Sequence, residues 1–197
     1  MDLEKTRQDQ RIIWITGLSG SGKTTIAQEI SSNLRAQGKA VVLLDGDELR
    51  EIFGASTLNE KNHGRASRLL LAMQYSNLCK MIGAQGITVV IATISMFDEI
   101  HEWNRKNLSG YFEVYIKVSQ DELRRRDPKG IYRKFDSGEI KNVAGIDLKV
   151  DEPKSPDLIL EYINFNTPKI CSAKILKAIQ EANLKCKLNN KQVTSLA

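Results

Sequence analysis

The stretch Gly17-Leu18-Ser19-Gly20-Ser21-Gly22-Lys23-Thr24 matches every fixed position of the phosphate-binding pattern G-x-x-x-x-G-K-[ST]. The apolar residues 12–15 before it are typical of a buried strand, and residues 25–34 after it carry apolar side chains at helical spacing. In this arrangement the loop amides and the positive end of the helix dipole face phosphate oxygens. The stretch therefore predicts a binding site for a nucleoside triphosphate.

The side chains of the loop have separate expected roles. Lys23 supplies a mobile positive charge for the β- and γ-phosphates, and the Thr24 hydroxyl is placed to ligate Mg²⁺. The residues expected to contact the triphosphate are Gly17, Ser19, Gly20, Ser21, Gly22, Lys23, Thr24 and Thr25.

The 197 residues are expected to form a single domain, because strand-like runs and helical patterns alternate along the whole chain. This alternation predicts an α/β fold of three layers, the P-loop NTPase architecture, with a mainly parallel central sheet flanked by helices. Strands are expected near 12–15, 39–44, 87–94, 111–118 and 158–160. Residues 111–118 are expected to point inward alternately, and a helix over 67–82 is expected to bury Leu71, Tyr75, Leu78 and Ile82.

Three segments stand apart from this pattern. Residues 1–10 form an N-terminal extension that lacks the apolar core of a signal peptide. Residues 119–150 are charged and glycine-containing, which suits either a lid over bound phosphates or a solvated surface helix and loop. A final helix is expected to begin at Thr167-Pro168, and residues 185–197 are expected to form a polar, frayed tail.

The composition excludes several kinds of partner and location. The net charge of +5 equals the excess within residues 166–197, which carry six lysines and one glutamate, so the rest of the chain is balanced. A solvated lysine-rich helix explains this better than a nucleic-acid surface. The chain has three widely spaced cysteines and no apolar run long enough to span a membrane. We expect a cytoplasmic protein with no nucleic-acid or membrane partner.

Polar residues after the second strand point to phosphoryl transfer. Asp47 lies where a carboxylate could accept the proton of an acceptor hydroxyl or hold Mg²⁺ through water. Arg50, one helical turn later, and Arg68 on the next helix are suited to grip an anionic acceptor. A GTPase is disfavoured because the best match to its guanine-reading motif, residues 190–193, lacks the aspartate. These residues together predict a kinase acting on a small anionic acceptor.

Residues 11–165 resemble the adenylylsulfate kinases. The resemblance rests on the phosphate loop, Asp45-Gly46-Asp47 with Arg50, Ala92-Thr93-Ile94-Ser95, and residues 126–132. Such enzymes transfer the γ-phosphoryl of ATP to the ribose 3′-hydroxyl of adenosine 5′-phosphosulfate. The resemblance implies ATP and Mg²⁺ as cofactors, a small nucleotide as acceptor, and a homodimer.

The resemblance also implies roles for individual residues. Asp47 and Lys23 would be catalytic, and Thr24 and Asp47 would hold the metal. Arg126 would join the loop in holding ATP. The residues that would bind the acceptor are Asp47, Arg50, His63, Arg68, Ile94, Ser95, Lys129 and Val143.

The acceptor pocket departs from the family pattern, since the two phenylalanines that usually sandwich adenine map to His63 and Val143. Loss of that sandwich removes stacking of about 1–3 kcal/mol per base, by analogy with nucleic-acid binding. Three hypotheses follow. The first is adenylylsulfate kinase activity, and the second is a 3′-kinase for a smaller nucleotide such as cytidine diphosphoramidate. The third is a non-catalytic ATP-binding subunit, which the combination of Lys23, Thr24 and Asp47 disfavours.

Overall fold

The structure is a computed structural model that describes residues 11–54, 64–162 and 167–194, with side chains described as far as residue 185. Its centre is a five-stranded sheet in which every pair of neighbouring strands is parallel. The strands are β1 (Ile12–Thr16), β2 (Val41–Asp45), β3 (Thr88–Ala92), β4 (Tyr111–Lys117) and β5 (Leu158–Glu161), in the spatial order β2-β3-β1-β4-β5. The predicted parallel α/β architecture is confirmed.

Seven helices are described around the sheet. They are α1 (Lys23–Ala36), α2 (Gly46–Ile52), α3 (Arg65–Gly83), α4 (Asp98–Asn107), α5 (Gln120–Arg126), α6 (Ile131–Asp136) and α7 (Pro168–Thr194). The Thr167 hydroxyl accepts the amide of Ile170 at 3.3 Å, which confirms the predicted start of α7. The helix continues to Thr194, and fraying of the polar tail over residues 185–194 stays a prediction. Those residues contain neither proline nor glycine to end the helix.

One face of the sheet is covered by α1 and α7. Ile26, Ile30 and Leu34 of α1 are buried, as the helical spacing predicted. They pack in one cluster with Ile175 of α7 and with the strand residues on that face. Burial of this stripe fixes α1, and therefore the loop that precedes it, against β1.

The other face is covered by α3 and α4 around the fully buried Trp14. The buried stripe of α3 contains Ala72, Tyr75 and Cys79, whereas Leu71 and Leu78 are only partly buried. The predicted stripe is therefore wrong by about one residue, because the small side chains mark the line of closest approach to the sheet.

Strand β4 departs from its predicted alternation, since all of residues 111–116 are buried, including Glu113. A parallel strand next to the centre of the sheet is covered by helices on both faces, so both sets of side chains are buried. Among the helices described, none combines the length and apolar character that a bilayer-spanning segment requires.

Candidate active site

The phosphate loop leaves the carboxyl end of β1 and enters α1. Gly17 has a φ of +151°, and a Cβ at this position would lie 2.6 Å from the carbonyl oxygen of Ile116 in β4. Gly22, with a φ of +93°, precedes α1 without any side-chain cap. The first amides of α1 are therefore available to an anion, which is the geometry that phosphate binding requires.

Lys23 folds back over this loop. Its Nζ donates to the carbonyl oxygen of Leu18 at 2.8 Å and to Ser21 Oγ at 3.4 Å. Burial and the neighbouring charge of Lys129 lower the pKa of Lys23 to about 8, against the opposing effect of Asp47 and Asp45. The amine thus lies at the loop, where a bound polyphosphate would replace its present partners.

Thr24 is paired with a carboxylate, that of Asp45, for which the sequence predicted no role. Its hydroxyl donates to Asp45 Oδ2 at 2.6 Å, while Asp45 Oδ1 accepts the amide of Asp47 at 2.8 Å and caps α2. Asp45 is the last residue of β2, next but one to the loop strand, and that position was the signal that could have identified it. A hydroxyl and a carboxylate are hard oxygen donors of the kind that Mg²⁺ prefers.

Asp47 lies in the first turn of α2, where its carboxylate meets two cations. Oδ1 accepts from Arg50 Nη1 at 3.1 Å, and Oδ2 accepts from Lys129 Nζ. Partial burial raises the pKa of Asp47, but the hydrogen bond and charge of Lys129, together with Arg50 and Lys23, outweigh it and lower the pKa overall. Asp47 is therefore ionised at neutral pH and able to accept a hydroxyl proton.

Arg68 reaches the opposite wall of the site from α3. Its Nη2 donates to the carbonyl oxygen of Asn142 at 2.8 Å. Asp147 shapes that wall by accepting the amides of Asn142 at 2.8 Å and Val143 at 2.6 Å. Burial and the charge of Arg50 lower the pKa of Arg68, opposed by Asp147. The wall that carries Val143 is thus held by Arg68 on one side and by Asp147 on the other.

These residues surround one pocket of about 310 Å³. The predicted site residues that line it are Ser19, Gly20, Gly22, Lys23, Thr24, Thr25, Asp47, Arg50, Arg68, Ile94, Lys129 and Val143. Donor-side and acceptor-side residues therefore share one cavity at the carboxyl ends of the strands, where ligands of open α/β sheets bind.

Of the remaining predicted residues, Gly17 and Ser21 belong to the phosphate loop without lining the pocket, and the others lie elsewhere. Ser95 lines an adjoining pocket of about 40 Å³, with its hydroxyl 2.7 Å from Thr93 Oγ1. Arg126 lies away from the 310 Å³ pocket, with its guanidinium 3.8 Å from the ring centroid of Tyr162 and its Nε 2.7 Å from Glu122. Its role with ATP stays a prediction. His63 lies outside the described residues.

The segment 119–150 packs directly onto the site. The Asp127 carboxylate accepts the amides of Tyr132 and Arg133 at the start of α6. The Tyr132 hydroxyl donates to the carbonyl oxygen of Ser19 at 2.9 Å, and Lys129 contacts Asp47. Contacts with both the phosphate loop and the acceptor side are what a lid requires. That residues 119–150 close over the site when substrate binds stays a prediction.

Comparison with known proteins places this geometry in a family. Residues 9–161 match the family described as adenylylsulphate kinase. The chain belongs to the adenylylsulfate kinase family. Cytidine diphosphoramidate kinase from Campylobacter jejuni subsp. jejuni is 44% identical over 149 residues, which cover 76% of this chain and 84% of that protein. Adenylyl-sulfate kinase from Bacillus velezensis is 38% identical over 164 residues, which cover 80% of this chain and 79% of that protein.

A solved adenylylsulfate kinase has the same fold. The structure of Mycobacterium tuberculosis APS kinase CysC in complex with AMPPNP and APS superposes with a TM-score of 0.78 at 30% identity, covering 87% of this chain and 98% of that chain. This likeness confirms the resemblance and the P-loop architecture. As a member of the adenylylsulfate kinase family, the protein is a phosphotransferase with an alcohol group as acceptor. The hypothesis of a non-catalytic subunit is therefore set aside.

Proposed function

We propose that this kinase transfers the γ-phosphoryl of ATP to the ribose 3′-hydroxyl of cytidine diphosphoramidate. The observation that carries the choice of acceptor is the lining of the pocket, which includes Val143, where the resemblance to the family implies a phenyl ring. Of the described residues that line the 310 Å³ pocket, none carries an aromatic ring. A pyrimidine, which is smaller and stacks less strongly than a purine, suits such a wall. The 44% identity to a cytidine diphosphoramidate kinase supports the same acceptor.

Adenylylsulfate is the second candidate, supported by the family match and by the relatives that carry the name adenylyl-sulfate kinase. Arg50 and Arg68 do not separate the two acceptors, because both nucleotides carry a charged 5′ group that two guanidinium groups can grip. The choice between the two acceptor nucleotides therefore depends on the pocket wall that carries Val143 and faces the base.

The reaction uses the residues of the pocket in three roles. The loop amides and Lys23 hold the β- and γ-phosphates. Mg²⁺, which neutralises phosphate charge, would be held by the Thr24 hydroxyl together with Asp45, and by Asp47 through water. Asp47 accepts the proton of the 3′-hydroxyl while the oxygen of that hydroxyl bonds to the γ-phosphorus. The bond between that phosphorus and the β,γ-bridging oxygen breaks, and ADP leaves.

The acceptor assignment is tested by measuring kcat/KM for cytidine diphosphoramidate and adenylylsulfate at saturating ATP and Mg²⁺, with the product phosphate located by ³¹P NMR. We expect a preference of at least about tenfold for the cytidine nucleotide, the size that loss of one stacking ring accounts for. A comparable preference for adenylylsulfate would overturn this acceptor and leave the kinase assignment standing.

The role of Val143 is tested by Val143→Phe. The added ring is expected to raise kcat/KM for adenylylsulfate by roughly tenfold and to lower it for the cytidine nucleotide, because a phenyl group stacks on a purine and narrows the pocket. Val143→Ile is the matched control, since it adds bulk without a ring. An unchanged ratio of the two constants in Val143→Phe would remove this residue from base recognition.

The resemblance further suggests a homodimer, and the cysteine usage suggests a cytoplasmic location. Light scattering of the purified protein gives the mass that tests the dimer.

A further inference from the structure

Two helices beside the acceptor pocket begin without a local side-chain cap. Helix α3 begins at Arg65 after Gly64, and α4 begins at Asp98 after Phe97, and neither preceding residue provides a side-chain hydrogen bond. Such exposed amides normally require an acceptor from elsewhere. Both starts matter for the site, because Arg68 lies in the first turn of α3 and the turn that carries Ile94 runs directly into α4.

One carboxylate from a distant segment reaches a backbone amide at the start of α4 and an arginine side chain at the start of α3. Asp151 Oδ2 accepts the amide of Asp98 at 3.3 Å and Nη2 of Arg65 at 3.0 Å. The amide of Asp151 in turn donates to the carbonyl oxygen of Met96 at 3.0 Å. The side chain is only 19% exposed. A single residue therefore connects α3, α4 and the turn over residues 94–97.

Arg65 connects Asp151 to the first turn of α3. Its guanidinium donates to both carboxylate oxygens of Glu99 at 2.9 Å while sharing Nη2 with Asp151, and it lies 5.2 Å from the ring centroid of Phe97. A planar guanidinium held at two carboxylates and a ring has little freedom. Arg68, three residues further along, lies on the same side of the helix, so movement of the first turn moves its guanidinium.

Asp151 is also anchored to the sheet. Its carbonyl oxygen lies 3.3 Å from Nε2 of His101, and Nδ1 of His101 lies 2.6 Å from Glu113 Oε1. Glu113 belongs to β4, and its side chain is only 3% exposed. Asp151 is thus linked through His101 to a buried residue of the central sheet.

We infer that Asp151 is a positioning residue for acceptor binding, which holds Arg68 through Arg65 and the Ile94-Ser95 turn through Met96 without touching the acceptor. The inference depends on the proposed function only in requiring an acceptor nucleotide. None of the hydrogen bonds described for Asp151 or Arg65 reaches the phosphate loop, so the effect is specific to the acceptor side.

The test is Asp151→Asn, which keeps the shape and an oxygen for the Asp98 amide but removes the charge that faces Arg65. We expect the KM for the acceptor to rise about tenfold while the KM for ATP stays within about twofold. The acceptor used is whichever of cytidine diphosphoramidate and adenylylsulfate the wild-type enzyme phosphorylates faster. Asp151→Glu, which restores the charge, is expected to recover part of the loss.

Lys154→Gln is the matched control, since it removes an ion pair with Asp98 from a lysine side chain that is 73% exposed. It is expected to leave both KM values unchanged. Equal increases in the two KM values for Asp151→Asn, or an unchanged KM for the acceptor, would overturn the inference. Failure of the proposed function has a different signature, namely a reversed acceptor preference in the wild-type enzyme.

Hydrogen exchange of the nucleotide-free protein provides a second readout that needs no acceptor. In Asp151→Asn, peptides covering residues 65–72 and 94–100 are expected to exchange faster than in the wild type and in Lys154→Gln, while residues 17–25 stay unchanged. Unchanged exchange at 65–72 would refute the link to α3. Should Asp151→Asn fail to fold, Arg65→Gln takes its place in both experiments, with Glu99→Gln as its control, because Arg65→Gln breaks the contact with Asp151 and also the pair with Glu99.

Discussion

Asp47 is held between Arg50 and Lys129 at the edge of the pocket, and its substitution separates chemistry from binding. Asp47→Asn keeps the shape of the side chain but cannot accept a hydroxyl proton. We expect kcat to fall by a factor of about 10²–10⁴, the usual contribution of a general base. The affinity for a non-hydrolysable ATP analogue, measured by calorimetry, is expected to stay within about threefold because the loop is untouched and Asp47 would reach Mg²⁺ only through water. A kcat within about tenfold of the wild type would show that another group takes the proton.

Lys23 gives the ATP site a pH dependence with a definite sign. Its pKa is lowered to about 8, first by burial and then by Lys129, so the free enzyme carries this charge below that pH and loses it above. Affinity for ATP is therefore expected to be greatest below pH 8 and to weaken by up to about tenfold per pH unit above it. Calorimetric titrations from pH 7 to about 9.5 measure this change.

Two variants show whether the inflection belongs to Lys23. Lys129→Met is expected to move the inflection to higher pH, because it removes a positive charge that lowers the pKa of Lys23. Lys23→Met is expected to bind ATP weakly with no inflection near pH 8. An inflection that persists in Lys23→Met would assign the titration to a different group.

At the scale of elements, local patterns predicted β1, the phosphate loop and α1, because each is determined by residues close together in sequence. The alternation expected for β4 failed, because burial on both faces depends on helices far away in the chain. The prediction of the buried stripe of α3 was wrong for a related reason, since Ala72 and Cys79 are buried only because the sheet lies against them. Periodicity identifies an element more reliably than it identifies the contacts of that element.

The candidate site shows the same division. Lys23, Thr24, Asp47 and Arg50 lie in two short motifs and were all predicted, and the structure brings them into one pocket. Asp45 was missed because its role depends on β2 lying two strands from β1, so that its carboxylate meets Thr24 across 21 residues of sequence. The contact itself leaves no local pattern, and only the position of Asp45 at the carboxyl end of β2 pointed to the site.

Helix α6 is joined to the phosphate loop by the hydroxyl of Tyr132, which donates to the carbonyl oxygen of Ser19. Tyr132→Phe removes this hydrogen bond and leaves the ring in place, which costs about 0.5–1.5 kcal/mol. If α6 helps to hold the loop in its binding conformation, the KM for ATP is expected to rise by roughly two- to tenfold, with the melting temperature lowered by no more than about 6 °C. Tyr115→Phe is the matched control, since its hydroxyl pairs with Glu152 instead. An equal effect of both substitutions would exclude a specific role for α6.

At the scale of the whole molecule, Glu113 joins the sheet to the surrounding segments. Its carboxylate is buried on β4 and accepts from His101 at 2.6 Å, Tyr111 at 2.9 Å and Arg105 at 3.3 Å. Glu113→Gln keeps the shape but removes the charge that these donors share, leaving polar groups imperfectly paired in the interior. We expect the free energy of unfolding to fall by about 2–4 kcal/mol, as when one partner of a buried ion pair is lost.

Urea unfolding measures this change and tests the single-domain prediction at the same time. Tryptophan fluorescence follows Trp14 in the sheet and Trp103 on α4, while circular dichroism follows the helices. Because the two core clusters share the same central strands, both probes are expected to give one coincident transition, with its midpoint lowered and its slope unchanged in Glu113→Gln. Lys117→Gln, which removes an exposed pair with Glu152, is expected to cost less than about 0.5 kcal/mol. Separate transitions for the two probes would mean that part of the chain unfolds independently. If Glu113→Gln lowered the free energy of unfolding no more than Lys117→Gln does, the contacts of the Glu113 carboxylate would not stabilise the fold.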